Sequence, residues 1–208
     1  MVNTWAEEEV LRFLEHAQES HYYVPYLLVI TCGMRKGEIL GLQWKDIDFE
    51  RRTLSVNRSL SPITKEFHAP KTSTGKRLIV LPAITLHALE EHHERINVEK
   101  EQYGNEYNDY DIVCPTFNGN PCNFRNLTQL WKKLIKKSEV PDIRFHDLRY
   151  THATLMLKQG IHPKIVSKRL GHKRVGITLD TSSHVVPGLQ ETAVDQFANE
   201  LFGNKTVR

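Results

Sequence analysis

The sequence predicts a mainly α fold with a small three-stranded antiparallel β-sheet. Apolar residues recur at helical spacing through most of the chain, two short β-rich runs sit together before its midpoint, and "TWAEEEV" opens it with a helix-start pattern.

In the first element, Thr4 is the expected N-cap with Glu7 three residues on, and Val10, Leu11, Leu14 and Ala17 follow on one stripe. "PYLLVITCG" is apolar almost all round and ends at Gly33, the pattern of a buried helix closed by a glycine. "MRKGEILGLQW" predicts a further short helix. "RTLSV" and "RLIVLP" predict strands, and the intervening "SPITKEFHAPKTSTGK" is expected to hold the third strand and a tight turn at Thr74-Gly75. Helix returns from Ala83 to about Tyr103, with "EEHHER" on its wet face. "NFRNLTQLWKKLIKKSEV" is amphipathic, with Leu127, Leu130, Trp131, Leu134 and Ile135 apolar. After Pro141 the pattern gives helices from His146 to Gln159 and from Pro163 to Leu170, a short piece near Leu179, and a last helix in "LQETAVDQFANELFG". There is no internal repeat and no low-complexity linker, so the chain reads as one domain.

Composition narrows the function classes. Against 25 acidic residues stand 28 basic ones, with 11 histidines besides, in a chain of 208. That balance permits a polyanionic partner if the cations gather on one face. No apolar run approaches the length of a membrane span, and the acidic N-terminus is not a signal peptide. Cys32, Cys114 and Cys122 form no CxxC pair, which fits a reduced, cytoplasmic setting. His92 and His93 sit in a charged helix without HExxH or Cys/His ligand spacing, so no metal and no other cofactor is expected. "KKLIKK" reads as a solvated helix face.

Several residues could carry chemistry. His146 and Arg149 are three apart, a spacing that puts both within reach of one ligand. Arginine's planar fork matches phosphate oxygens, and histidine adds a donor that can move a proton near neutral pH. Arg35 and Glu38 repeat the spacing just after Gly33, Lys71 lies in the polar stretch "APKTSTGKR", and His172 follows a glycine in "RLGHKR". Each has an ordinary structural reading: Arg149 paired with Asp147 or a nearby carbonyl, His146 satisfied in the core, Arg35–Glu38 a surface ion pair.

Their order together points further. "TCGMRKGEILGLQW", "PKTSTGKRLIVLP", "RFHDLRYTHATLML" and "LGHKRVGITLDTSSHV" follow one another as in the catalytic domain of the tyrosine recombinases, the phage-integrase family, which the chain resembles over nearly its whole length. The nearest look is to integrases of phages and conjugative elements in Gram-positive bacteria. The resemblance implies that Arg35 and Arg149 clamp the non-bridging oxygens of a scissile DNA phosphate. It implies that Lys71 protonates the 5′-hydroxyl leaving group, that His146 and His172 contact phosphate, with His146 also assisting proton movement, and that Glu38 buttresses the site. Preorganised cations suit a phosphorane, which carries more negative charge than the ground state, and they do the work a metal ion would do. The implied partners are double-stranded DNA attachment sites, other recombinase protomers in a tetrameric synapse, and accessory DNA-bending or excision factors.

One position departs from the family pattern. The stretch "TLDTSSHV" has Ser182 where the family carries the tyrosine that forms a 3′-phosphotyrosine. A serine oxygen lies closer to the backbone and its hydroxyl is far less acidic than a phenol of pKa about 10. The chain as given is therefore expected to bind DNA without cleaving it. Ser182 is either an engineered change or the mark of a naturally non-catalytic, DNA-binding or regulatory relative; the intact remainder of the constellation favours the first. The resemblance also implies that residues 1–208 are the catalytic domain, with the core-binding and arm-binding domains that normally precede it absent.

Overall fold

The computed structural model describes residues 3–69, 75–172, 175–176 and 194. Helix α1 (Glu7–Ala17) starts at an Ala6 N-cap, whose N–H donates to the Glu9 carboxylate at 2.7 Å. The expected cap at Thr4 does not form because the next residue is anchored in the core. Trp5 donates its N–H to Thr151 Oγ1 at 3.1 Å and its indole Nε1–H to the Pro141 carbonyl at 2.9 Å. The buried stripe of α1 is Val10, Phe13 and Ala17. Leu11, expected on that stripe, lies a helical step away and is 62 % exposed.

Helix α2 (Tyr23–Cys32) is buried nearly all round and closes on Gly33 in the left-handed region, as its sequence predicts. The short α3 (Lys36–Leu40) follows at once. An aromatic cluster joins these helices to α5 (Phe124–Ser138): Trp131 lies 5.3 Å from Trp5 and 4.8 Å from Phe13, and Phe13 meets Tyr26 edge-on at 5.4 Å. The Trp131 indole N–H also donates to the Ile143 carbonyl at 3.0 Å. Asn123 caps α5, accepting from the Arg125 N–H.

The sheet is three-stranded and antiparallel as predicted, but its third strand comes from elsewhere. Strand β1 (Ile47–Asp48) pairs with β2 (Thr53–Val56), and β2 with β5 (Arg77–Val80), in register Leu54 to Ile79. The segment expected to supply that strand forms a separate hairpin, β3 (Ser59–Leu60) with β4 (Phe67–His68), stacked beside α3. The expected turn at Thr74-Gly75 falls partly outside the described residues.

Helix α4 (Ala83–Tyr103) has the predicted bounds, with one correction on its face. His92, read as solvated, is buried with its Nε2 2.6 Å from the Val113 carbonyl. Arg95 can only donate, so Nδ1 of His92 is the acceptor of the 2.7 Å contact between them and Nε2 carries the proton. The chain then runs through α5 into α6 (Asp147–Lys158) and α7 (Pro163–Leu170). The helices expected near Leu179 and from Leu189 onward lie outside the described residues. Among the described residues no helix is long and apolar enough to cross a membrane, and no group of three or more His, Cys, Asp or Glu side chains could hold a metal ion.

Because Trp131 packs against four core aromatics, Trp5, Phe13, Tyr26 and Phe145, Trp131→Ala is expected to cost about 3–5 kcal/mol of stability. Urea unfolding of the two proteins would measure it; a loss under 1 kcal/mol, about the scale of a surface change, would contradict the central role given to this cluster.

Candidate active site

Two helices end against each other to make the site. At the end of α2, Gly33 has φ +63°, and a Cβ there would come within 2.6 Å of Leu170 and 2.7 Å of His152. Only glycine allows both the backbone turn and this closeness to α6 and α7. At the end of α7, Gly171 also turns left-handed. Helix ends present carbonyls that no intrahelical N–H can reach, and they carry the negative end of the dipole.

Basic side chains satisfy those carbonyls. The buried Arg149 on α6 donates from Nη1 to Gly33 O and from Nη2 to Leu170 O, joining the ends of α2 and α7. Arg77 donates from Nε to Arg169 O at 2.7 Å, and Arg35 Nη2 lies 3.5 Å from Gly171 O. Arg169 donates to Thr31 O at 2.7 Å and to Val80 O at 2.9 Å, so the sheet is held to the same junction. His152 adds Nδ1–H to Ile30 O at 2.8 Å.

Arg35 is the N-cap of α3, and Glu38 is its N3 residue. Glu38 accepts the Arg35 N–H at 2.9 Å and Arg35 Nη1 at 2.8 Å. The same carboxylate takes a two-pronged contact from Arg77, Nη1 to Oε1 at 3.0 Å and Nη2 to Oε2 at 2.8 Å. Burial alone would raise the Glu38 carboxyl; Arg77 first, then Arg35, outweigh it and hold its pKa at about 2. Arg149 moves the other way: burial, then repulsion from Arg35, lowers it to about 9. It stays protonated at neutral pH. Three guanidinium groups against the Glu38 carboxylate leave a positive excess beside a cleft of about 840 Å³.

Arg35, Glu38, Gly75 and Gly171 line one side of that cleft, and the β3–β4 hairpin with Ser59 and His68 lines the other. His172 follows Gly171, and its pKa is lowered to about 4, by burial first and then by Arg149, Arg35, Arg77 and His146. His146 is the N-cap of α6 and is exposed; partial burial and then Arg149 lower its pKa. The ordinary readings fare unevenly. Asp147 is taken by Arg144 rather than Arg149, with contacts at 2.9 and 3.0 Å, and His146 is not a core residue. Arg149 does pair with carbonyls, those of Gly33 and Leu170 at the two helix ends.

Of the residues singled out from sequence, Arg35, Glu38, Arg149, His146 and His172 are thus gathered at one place. Lys71 and Ser182 lie outside the described residues, although Ala69 and Gly75, which flank the Lys71 segment, both line the cleft. Sequence reasoning gave no role to Arg77, Arg169 or His152. Arg77 opens a β-rich run in which every second residue shares a face, a weak pointer that it follows Ile79 inward.

Residues 4–185 match the model of the phage integrase family. The chain belongs to that family. This phage-integrase-family chain is 33 % identical over 215 residues to a tyrosine recombinase XerC-like protein of Caldanaerobacter subterraneus subsp. tengcongensis, covering 97 % of itself and 55 % of that protein. It is 28 % identical over 199 residues to the ICEBs1 integrase of Bacillus subtilis, covering 92 % and 53 %. The chain spans about half the length of these relatives. Its fold is that of the Tn1549 transposon integrase solved with transposon right end DNA (TM-score 0.79, 21 % identity, 95 % of this chain and 67 % of that one). The XerA recombinase shares it as well (TM-score 0.76, 19 % identity, 95 % and 65 %).

His152 makes the site's packing sensitive to acid. The folded protein holds its imidazole neutral down to about 3, by burial first and then by Arg169, against 6.5 for an unfolded chain. As pH falls the unfolded state takes up the proton first, so this stability is whole above about 6.5 and is lost towards about 3, by up to about 1.4 kcal/mol per pH unit. His152→Asn, which keeps a donor for Ile30 O, is expected to be less stable at neutral pH yet to show a flatter loss between about pH 6 and 4. Urea midpoints across that range would test it; parallel curves would contradict a neutral, buried His152.

Proposed function

We propose that this chain is the catalytic part of a site-specific tyrosine recombinase, that it grips duplex DNA through a backbone phosphate, and that with Ser182 at the nucleophile position it binds without cleaving. The observation that carries this reading is Arg35 lining the cleft with the buried Arg149 in electrostatic reach behind it, and with His172 and His146 within reach of both. Such a site favours an anion, and a guanidinium fork fits phosphate oxygens. The names of the similar proteins, integrases and recombinases, one of them solved on transposon end DNA, support DNA as the partner.

In this reading the two arginines hold the non-bridging oxygens and stabilise the charge that builds in the phosphorane. Lys71 gives its proton to the 5′-oxygen, His146 and His172 add donors, and Glu38 holds Arg35 in place. A tyrosine at 182 would attack in line, forming a 3′-phosphotyrosine that stores the bond energy for rejoining. Protomers would act in a tetrameric synapse, with accessory DNA-bending factors where the site requires them. Ser182 also favours a second reading, a relative that occupies DNA sites without cutting. The codon at 182 in the full-length parent gene separates the two.

Ser182→Tyr is the direct test. On a nicked suicide duplex that loses a short fragment after cleavage, the tyrosine variant should give a DNA-shifted band on denaturing electrophoresis, unaffected by EDTA. The serine chain should give none. An adduct on the serine chain would show that the nucleophile lies elsewhere; none from the tyrosine variant, within its full-length parent and on its own site, would show that the constellation is not an active one.

Arg149→Ala should weaken binding to all duplex sequences alike, with a smaller loss at high salt, because a phosphate contact carries no base information. Loss of sequence preference alone would argue against a phosphate clamp.

Binding should also take up a proton. A phosphate set among the arginines would cancel much of their pull on His172 and raise its pKa from about 4. Affinity should therefore rise as pH falls from about 7 towards about 5, and His172→Gln should flatten that rise; identical pH profiles for the two proteins would remove His172 from the contact.

A further inference from the structure

Arg77 has the most complete set of contacts in the junction, and the phosphate clamp proposed above makes no use of it. Its side chain is 4 % exposed, against 41 % for Arg35, so it is sealed from the cleft that Arg35 faces. Four of its five N–H groups are committed: Nε to Arg169 O, Nη1 to Glu38 Oε1 and to Gly75 O at 3.2 Å, Nη2 to Glu38 Oε2. It therefore touches the carboxylate that holds Arg35, the end of α7 that leads to His172, and the residue that follows the Lys71 segment.

Charge is the second half of the argument. Glu38 is 5 % exposed and accepts from Arg35 and Arg77 together. With both present, the three groups keep one positive charge, available on the exposed member. Without Arg77, Glu38 and Arg35 would be a closed ion pair, neutral as a unit and drawn together more tightly because the carboxylate is buried. Arg35 would still be there but would offer a phosphate little net attraction.

We infer that Arg77 is a positioning residue for the phosphate site: it neutralises Glu38 so that Glu38 can orient Arg35 without consuming its charge, and it holds the α7 end and Gly75 around the same carboxylate. This rests on the reading of Arg35 as a phosphate contact. A role confined to packing would differ in one respect. It would not depend on whether Glu38 is charged.

The test is binding of the chain as given to a short labelled duplex across a salt series, with folding checked by circular dichroism. Arg77→Met should weaken binding roughly tenfold at low salt and lower the slope of log affinity against log salt by about one, as if a phosphate contact had been lost. The double variant E38Q/R77M, which removes the buried carboxylate charge as well, should recover most of that affinity and slope. A double variant as weak as R77M would overturn the inference, since a packing role predicts added damage. Should R77M fail to fold, R77K decides: its charge on a different donor geometry should keep binding well above that of R35A, and binding as weak as R35A would overturn it. An R35A protein with full affinity would sink the phosphate reading and this role with it. R35A weakened with R77M folded and unchanged would sink the role of Arg77 alone.

Discussion

The rest of the structure depends on how the carboxyl ends of α2 and α7 are satisfied. A helix end buried without partners for its last carbonyls is costly, since each unpaired group forfeits its hydration. Here the partners are not water or a local cap but Arg149 across both ends, Arg77 and Arg35 on α7, and Arg169 and His152 on α2. The helices can approach as closely as Gly33 permits because their end charges are met by cations between them. Sheet, α6 and α3 are all fixed to that junction through the same side chains.

Such an arrangement puts the packing of the helix ends and the positive charge of the junction on the same side chains. A buried arginine is tolerated only with several acceptors, and Arg149 has two carbonyls with Glu38 nearby. Its two terminal nitrogens are each committed by one N–H, while five N–H groups are available in the guanidinium. The carbonyls fix the plane of the fork and leave three of its N–H groups uncommitted to them. Preorganisation of this kind avoids reorienting dipoles when charge develops.

Much of this was legible in the sequence. The helices from Tyr23, Ala83, Phe124 and Pro163 follow from periodicity and glycine or asparagine caps, and the order of the motifs identifies the family. What escaped was polarity in unexpected places. In β5, Arg77 shares the inward face with Ile79 while apolar Leu78 and Val80 are 61 % and 60 % exposed, so residue type alone does not tell which face is inner. His92 reads as solvated, and His152 goes unremarked, because their burial depends on carbonyls of Val113 and Ile30, distant in sequence. The third strand is expected between "RTLSV" and "RLIVLP", but it lies before β2, where a strand as short as Ile47–Asp48 has too few residues to show a period. Thr4 was a sound cap by type, overruled by the pull of Trp5 into the aromatic cluster.

The carbonyl anchoring bears on how far such a site can drift. Every amino acid supplies a main-chain carbonyl, so Thr31 and Leu170 can serve as acceptors through their backbone, independent of side-chain chemistry. Substitution around the junction leaves the geometry of the guanidinium groups unchanged so long as the helix ends stay put, and a TM-score of 0.79 alongside 21 % identity is the expected outcome of that freedom. The exceptions are Gly171, whose backbone is left-handed, and Gly33, where both the backbone angle and the missing Cβ are used at once. The side chains that the junction itself requires thus reduce to a few cations, with two glycines where a side chain would be a hindrance.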